Sequence, residues 1–279
     1  MTSRLKDLPI LKLAVEHGKR FLPASSFHVF TAAANFRQFA KVLGDEVELI
    51  DQDKAIPGMT LEILRALDLP GFPAGAGWYF QQLLKYSFYE RDGSNGYFLI
   101  WDADTIPLRP LEFLDAEGRI LLTAAPEFHE PYFENIVRLL GIPVEVRISF
   151  ISQHALVDRA ILREMLGLLV SRASGENHWA WAIMRELRGT SLNLFSEYET
   201  YGHYLAAAHP DGVKIRQLPW SRDGNGLVKG GLSPATLERL SDEYAFVAFE
   251  SKQKLSLKWL LWIYQRLPVP LQEMVRRGR

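Results

Sequence analysis

Apolar residues in the first third of the chain alternate between helical spacing and short compact runs. Spacing of three and four residues favours helices, whereas runs of four to seven apolar or β-branched residues favour strands. The resulting elements are helices over 8–22 and 35–44 and strands over 26–32 and 46–50. Gly44 closes the second helix, and the Pro- and Gly-rich stretch Leu69–Gly77 predicts a loop.

The same alternation continues through the rest of the chain. The predicted helices cover 78–90, 154–173 and 177–187, and the predicted strands cover 97–101, 119–125, 146–152, 213–220 and 244–250. This pattern predicts an α/β protein with a Rossmann-like, mostly parallel central sheet flanked by helices, in one domain over residues 1–250. Ligands of such sheets bind outside the carboxyl ends of the strands.

Composition narrows the function classes. The chain has 279 residues, 32 basic against 33 acidic side chains and no cysteine. The balanced charge argues against a nucleic-acid partner, and the missing thiols exclude disulfides, thiolate metal sites and a cysteine nucleophile. We predict no signal peptide and no membrane span, because no window approaches ~18 consecutive apolar residues. A cytoplasmic location is therefore expected.

The strongest candidate site is the pair Asp102 and Asp104, which follows the apolar run Tyr97–Trp101. In an extended chain the two carboxylates point to the same side and repel each other. A Mg²⁺ or Mn²⁺ ion relieves this repulsion and bridges to phosphates, so the pair predicts a metal site that holds a diphosphate. The alternative is a solvated acidic turn, which is our preferred interpretation for the second D-x-D pair, Asp51 and Asp53.

The stretch "GYFLIWDADTIPLRP", preceded by a helix ending "QQLLKYSFYE", resembles the core of GT-A-fold glycosyltransferases, the nucleotide-diphospho-sugar transferase superfamily. With "FSEYETYGHYL", it looks like an uncharacterised bacterial family within that superfamily, over roughly 8–220. The resemblance implies a metal-dependent hexosyl- or glycosyltransferase with a nucleotide-diphosphate sugar donor and a carbohydrate or lipid-linked acceptor. It also implies that Asp102 and Asp104 hold Mn²⁺ or Mg²⁺, and that the setting is surface polysaccharide assembly.

The helix before the acidic pair offers further donor contacts. Trp78, Gln82 and Lys85 share one helix face and Gln81 lies beside them, so these side chains could reach phosphate or sugar hydroxyls. The alternative is that Trp78 packs in the core while Lys85 extends to solvent.

Two glutamates are candidates for the catalytic base. Ser196 and Glu199 form a capping-box pattern that would start a helix, which leaves Glu197 free at the helix N-terminus. Inverting GT-A enzymes carry an acidic base at a comparable place, so Glu197 is the first candidate and Glu199 the second.

Histidines and a late loop complete the candidates. His154 is expected to follow a strand and open a helix, where the resemblance suggests a third metal ligand, although a lone histidine is more often a capping residue. His178 and His203 are weaker candidates. Trp220 and Arg222 could line the site from a late loop.

Both chain ends raise further expectations. Residues 251–279 form a basic aromatic helix and tail that could contact the inner face of a membrane or simply pack on the protein. GT-A domains open with a strand that grips the nucleotide base, whereas residues 1–7 are short and polar. We therefore expect that the first strand is lost or that the true start lies upstream.

Two rival functions remain open. A haloacid-dehalogenase-like phosphatase would use Asp102 as nucleophile and Asp104 as general acid. The non-enzyme alternative is a degenerate transferase that binds a sugar nucleotide without turnover.

Overall fold

The computed structural model describes residues 1–67, 75–93, 95–144, 148–191, 193–228 and 232–250. The expected terminal helix and tail over 251–279 lie outside these residues. The strands are β1 Phe27–Thr31, β2 Val47–Asp51, β3 Tyr97–Trp101, β4 Thr105–Pro107, β5 Ile120–Thr123, β6 His154–Asp158, β7 Val213–Arg216, β8 Trp220–Ser221 and β9 Phe246–Ala248. The helices are α1 Leu8–Phe21, α2 Phe36–Leu43, α3 Leu61–Ala66, α4 Ala76–Ser87, α5 Glu130–Leu140, α6 Arg159–Arg172, α7 Trp179–Glu186, α8 Glu197–Ala208, α9 Gly224–Leu227 and α10 Pro234–Glu243.

The α/β class is confirmed, and the strand pairing is mixed. β1 pairs in parallel with β2, β5 with β7, and β8 with β9. The strand that carries the acidic pair, β3, runs antiparallel to β6, and β4 runs antiparallel to β9. Within the described residues these pairs form four small sheets, and β3 and β6 form one of them by themselves.

The start of the chain lies beside β1. The backbone N–H of Ser3 donates to the Phe30 carbonyl at 3.0 Å, and the Phe30 N–H donates to the Met1 carbonyl at 3.0 Å. Thr2 thus forms a parallel bridge with Phe30. The short polar segment 1–3 therefore pairs with β1 beside the β1–β2 pair. Backbone pairing of this kind needs no apolar side chains, which is why the polar sequence did not indicate it.

One predicted strand and one predicted helix are displaced around residue 154. In 148–152, the described part of the strand expected over 146–152, the structure has no strand; β6 starts at His154 and α6 begins at Arg159. Asp158 caps α6, since its Oδ1 accepts the N–H groups of Ala160 at 2.7 Å and Ile161 at 3.2 Å. The helical spacing of 154–158 was misleading because this segment pairs with all of β3.

A large hydrophobic core lies between β3, β6 and helices α4–α8. Tyr79, Leu83 and Tyr86 of α4 are fully buried in it. The same helix also places a lysine at the end of β3. Burial of its apolar side chains therefore fixes where that polar residue lies.

Candidate active site

A tight turn at the end of β3 positions the two aspartates. Trp101 is buried, and its indole N–H donates to the Thr105 carbonyl at 2.7 Å, while the Thr105 N–H donates to the Asp102 carbonyl at 3.1 Å. Asp102 and Asp104 are half-buried on either side of buried Ala103. The carboxylates are thus held at the carboxyl end of β3, as the sequence predicts.

Lys85 joins the acidic pair to the N-terminus of α8. Its Nζ lies 2.5 Å from Asp102 Oδ1 and 2.5 Å from Glu197 Oε1, and only 6% of the side chain is exposed. Burial alone would lower the pKa of Lys85, but the two carboxylates outweigh it and raise that pKa above its ordinary value. Lys85 is therefore a permanent cation at this site, and it does not extend to solvent.

Tyr198 closes the same cluster. Its hydroxyl donates to Asp102 Oδ1 at 2.8 Å, and the Lys85 ammonium lies 3.3 Å from that hydroxyl and 4.6 Å from the ring centroid. Burial, followed by the negative charges of Asp102 and Glu197, raises the pKa of the phenol well above its ordinary value. Tyr198 is thus a fixed hydrogen-bond donor that helps to orient Asp102.

Glu197 occupies the first turn of α8 and is 3% exposed. Its backbone N–H donates to Gln82 Oε1 at 3.1 Å, and its carbonyl accepts the Tyr86 hydroxyl at 2.6 Å. Desolvation raises the pKa of the Glu197 carboxyl; Lys85 opposes this effect and Asp102 adds to it. A buried carboxyl with a raised pKa beside a cation has the character expected of a proton acceptor.

Asp104 faces a concentration of negative charge. The pKa of Asp104 is raised to about 7, with burial as the largest cause and the negative charges of Asp102 and Glu250 as further causes. Arg222 lies nearby, with Nε 2.9 Å from Glu250 Oε1 and a second ion pair to Glu127. Ionised Asp104 is thus destabilised in the ligand-free protein, and a bound cation would relieve that strain.

The residues present fit a divalent cation held by Asp102 and Asp104. Among the described residues, no group of three or more His, Asp or Glu side chains is arranged to hold a metal. Mg²⁺ often binds through one or two carboxylates, with waters and substrate phosphates as its other ligands. Asp102 and Asp104 offer two carboxylates separated by one residue, which suits that mode of binding.

Among the other α4 candidates Gln82 is buried, whereas Trp78 and Gln81 are half-buried. Gln82 is 2% exposed, and its amide donates to the Trp78 carbonyl at 3.2 Å while its oxygen accepts the Glu197 N–H. The Trp78 ring stacks on Tyr132 with centroids 6.3 Å apart, and Gln81 is half-buried. In this arrangement the Gln82 side chain positions Glu197 by accepting the backbone N–H of Glu197.

Glu199 lies in a separate buried pair. Its Oε2 accepts the Phe150 backbone N–H at 2.9 Å and lies 3.5 Å from His203 Nε2, and the side chain is 0% exposed. Its backbone N–H donates to Ser196 Oγ at 3.3 Å, which confirms the predicted helix cap. The carboxylate of Glu199 therefore anchors the segment before β6, whereas the carboxylate of Glu197 is linked to Asp102 through Lys85.

His154 starts β6 and is 3% exposed inside an aromatic cluster. Its Nδ1 lies 2.9 Å from the Ser152 carbonyl, so that nitrogen carries the proton and Nε2 accepts from Thr123 Oγ1 at 3.2 Å. Its ring stacks on Trp101, and burial lowers its pKa to about 3. Both ring nitrogens are thus occupied in the structure, and neither is available to a metal.

The remaining candidates have local structural contacts. Asp51 Oδ1 accepts the Asp53 N–H at 3.2 Å, and Asp53 Oδ1 accepts the Leu61 N–H at 3.4 Å. Both contacts agree with the interpretation of this pair as an acidic turn. His178 caps α7 by accepting the Ala180 N–H at 3.2 Å. These residues stabilise turns and helix starts.

The sequence interpretation missed Gln153, Tyr198 and Glu250. Gln153 has φ 66° without being glycine; its carbonyl accepts the Asp102 N–H at 2.9 Å, and its amide donates to Glu250 at 3.2 Å. A left-handed backbone at a non-glycine residue costs energy and is frequent at functional sites. A signal was available for Glu250, an acid that ends an apolar run like the one before Asp102, but none was available for Gln153.

A protein-family model matches residues 15–217 and is described as a family of unknown function, DUF6492. The chain belongs to the DUF6492 family. This result confirms the expected membership in an uncharacterised family. A search of curated proteins found no match.

Several solved structures are similar to this DUF6492 protein. An active-site mutant of LgtC has a TM-score of 0.48 and 12% identity, covering 97% of each chain. Galactosyltransferase LgtC with donor and acceptor sugar analogues has a TM-score of 0.48 and 14% identity, covering 90% of this chain and 86% of that one. Mouse xyloside xylosyltransferase 1 has a TM-score of 0.47 and 11% identity, covering 88% of this chain and 94% of that one.

In the described part of the DUF6492 chain, no helix combines the length and apolarity needed to cross a bilayer.

Proposed function

We propose that this protein is a glycosyltransferase that moves a sugar from a nucleotide-diphosphate donor to a hydroxyl acceptor. The observation that carries the proposal is the cluster of Lys85, Asp102 and Glu197, with Asp104 beside it, at the carboxyl end of β3. The motif resemblance of "WDADT" and its flanking helix supports the same function. We further propose a carbohydrate or lipid-linked acceptor and a role in surface polysaccharide assembly.

In this proposal Asp102 and Asp104 hold Mn²⁺ or Mg²⁺ against the donor diphosphate. Bound there, the cation would supply charge neutralisation for the diphosphate leaving group. Lys85 and Tyr198 fix the orientation of Asp102 through its Oδ1, so the carboxylate is preorganised before the donor binds. A carboxylate that is already oriented lowers the activation barrier, because it does not have to reorient during the reaction.

Glu197 is the proposed proton acceptor. The bond between the anomeric carbon and the diphosphate oxygen breaks with its electron pair on the leaving group, and a new bond forms to the acceptor oxygen. The hydroxyl proton passes to the Glu197 carboxylate, so charge and atoms balance. Burial raises the pKa of Glu197 and thereby brings it closer to the range in which a base works at neutral pH.

The test is a panel of nucleotide sugars incubated with Mn²⁺ and a mixture of saccharide acceptors. We expect release of nucleoside diphosphate by the wild type and its loss in the double variant Asp102→Asn/Asp104→Asn. The matched control is Asp51→Asn/Asp53→Asn, which alters the second D-x-D pair and should retain activity because those side chains only stabilise a turn.

The rival functions give different results in the same samples. Phosphate release from a monoester such as p-nitrophenyl phosphate would support the phosphatase and contradict our proposal. Nucleotide-sugar binding without release of nucleoside diphosphate would indicate the degenerate form. Manganese-dependent binding that survives in the Asp102→Asn/Asp104→Asn variant would remove the basis of the proposal.

A further inference from the structure

A cavity opens at the carboxyl ends of the parallel strands β5 and β7. Its volume is about 630 Å³, within the ~300–1,000 Å³ that small-molecule sites commonly have. The chain segments that follow β5 and β7 both line it, and the segment before β6 contributes Ser149 and Ile151. We call this cavity the β5–β7 cleft. Its position is one where open α/β sheets bind ligands.

A chain of side-chain and backbone contacts connects the lining of the β5–β7 cleft to the acidic pair. Arg222 lines the cleft and lies 2.9 Å from Glu250, and Glu250 accepts the Gln153 amide at 3.2 Å. The Gln153 carbonyl in turn accepts the Asp102 N–H at 2.9 Å. The lining of the cleft is thus linked to Asp102 through Arg222, Glu250 and Gln153.

Aromatic rings form the apolar part of the lining. One face of Trp220 stacks on Phe246 with centroids 5.4 Å apart and an interplanar angle of 20°. The half-buried indole also lines the cleft together with Tyr244. Phe128 lies at the same cavity and is 47% exposed. The Phe128 ring stacks on Phe133 with centroids 4.6 Å apart, so its position at the cavity is held by packing.

Charged and amide groups lie among these rings. Glu127 and Arg222 form a partly exposed ion pair in the lining, and Gln217 lies beside them. A pyranose presents both kinds of surface, since its axial C–H groups match the negative face of an aromatic ring and its hydroxyls match carboxylate, guanidinium and amide groups. A fatty chain would remove water from this ion pair and from the Gln217 amide without offering hydrogen bonds in return, which makes it a poorer fit.

We propose that the β5–β7 cleft binds the acceptor saccharide, with Trp220 as the stacking platform and Glu127 and Arg222 as hydroxyl partners. This inference rests on the proposed glycosyl transfer and adds the substrate class and the place of the acceptor. The donor would lie at Asp102 and Asp104, and the acceptor hydroxyl would approach from the cleft side.

The test measures saccharide binding without nucleotide or metal. Saturation-transfer difference NMR would be recorded for the full-length protein with lactose, maltose and cellobiose. We expect saturation of ring C–H protons in at least one sugar, and at least a fivefold loss of that signal in Trp220→Ala. The matched control is Trp181→Ala, a half-buried tryptophan of α7 outside the cleft lining, which should keep the signal.

A second variant guards against misfolding of Trp220→Ala. Glu127→Gln retains the size of the side chain at a partly exposed position, and it should weaken the signal at least threefold while the melting temperature stays near that of the wild type. Absence of signal from all three sugars, or an unchanged signal in Trp220→Ala and Glu127→Gln, would overturn the proposal. Binding of a detergent such as dodecyl maltoside through its alkyl protons alone would also overturn it, in favour of a lipid site.

The two proposals fail in different experiments. The acceptor cleft can be wrong while manganese-dependent release of nucleoside diphosphate still requires Asp102 and Asp104. Conversely, intact saccharide binding with no donor turnover would refute the transferase and leave a saccharide-binding cleft.

Discussion

Replacing Asp104 with asparagine should stabilise the metal-free protein. The folded state raises the pKa of this carboxyl from 3.8 to about 7, with burial as the largest cause. For an acid with a raised pKa, the folded state binds the proton more tightly than the unfolded state does. Stability is therefore lost as the pH rises from the unfolded value through the folded one, and the penalty is complete above about pH 7.

The size of the penalty follows from the same two values. Each pKa unit corresponds to about 1.4 kcal/mol, so the shift from 3.8 to about 7 represents about 4 kcal/mol. The full penalty of about 4 kcal/mol is an upper value, because Asp104 is only half-buried and its replacement by asparagine also loses some polar contacts. We therefore take half of it as the lower bound. The expected gain at about pH 8 is then ~2–4 kcal/mol, or ~4–8 °C in melting temperature.

The assay is thermal and urea unfolding of wild type and Asp104→Asn in buffer with chelator, at about pH 8 and about pH 5. Because much of the penalty is absent once Asp104 is protonated, the gain should shrink to ~1–2 kcal/mol at about pH 5. Asp45→Asn, an exposed acid on the loop after α2, is the matched control and should change little at either pH.

Manganese should reverse the order of stability. A cation held by Asp102 and Asp104 stabilises only the folded wild type, so its melting temperature should rise with added Mn²⁺ while that of Asp104→Asn should not. An Asp104→Asn variant that is no more stable than wild type at about pH 8, or equally stabilised at both pH values, would refute the electrostatic reasoning.

Three further changes test the packing around the site. Lys85→Met should destabilise by ~3–5 kcal/mol in urea unfolding, because it leaves two buried carboxylates without their cation. Glu199→Leu should cost ~1–3 kcal/mol by leaving the buried Phe150 N–H without its acceptor, and circular dichroism should show the fold retained. Gly202→Ala should cost ~1–3 kcal/mol, since its Cβ would lie 2.5 Å from the Phe150 ring, whereas Gly167→Ala, in open space on α6, should gain ~0.5–1 kcal/mol. Equal effects of the two glycine changes would contradict the packing described here.

Local patterns were sufficient to predict most elements and the acidic pair. The apolar run before Asp102 specified β3, and the capping box at Ser196 and Glu199 specified the start of α8. Both signals lie within a few residues, where spacing and hydrogen-bond chemistry decide the structure.

The contacts between distant segments could not be predicted in the same way. The ion pair between Lys85 and Glu197 joins residues 112 positions apart, and it depends on how α4 packs against α8. The segment that starts at His154 was predicted as helix from its local spacing. Its pairing with β3 overrides that spacing, so the segment forms a strand. Tertiary packing also gave Glu199 a role in the core, although its sequence context matches that of Glu197.

Under the proposed function, the balance of charge at the site predicts that a cation binds before or together with the donor. Four carboxylates, those of Asp102, Asp104, Glu197 and Glu250, face two cations, Lys85 and Arg222, and Arg222 is shared with Glu127. A bare diphosphate would meet net repulsion there, because the nearby cations are already paired. A Mn²⁺ ion held by Asp102 and Asp104 would offset the charge of these two carboxylates and would attract the diphosphate. Tight binding of a nucleoside diphosphate in the presence of chelator would therefore be incompatible with a donor site at Asp102 and Asp104.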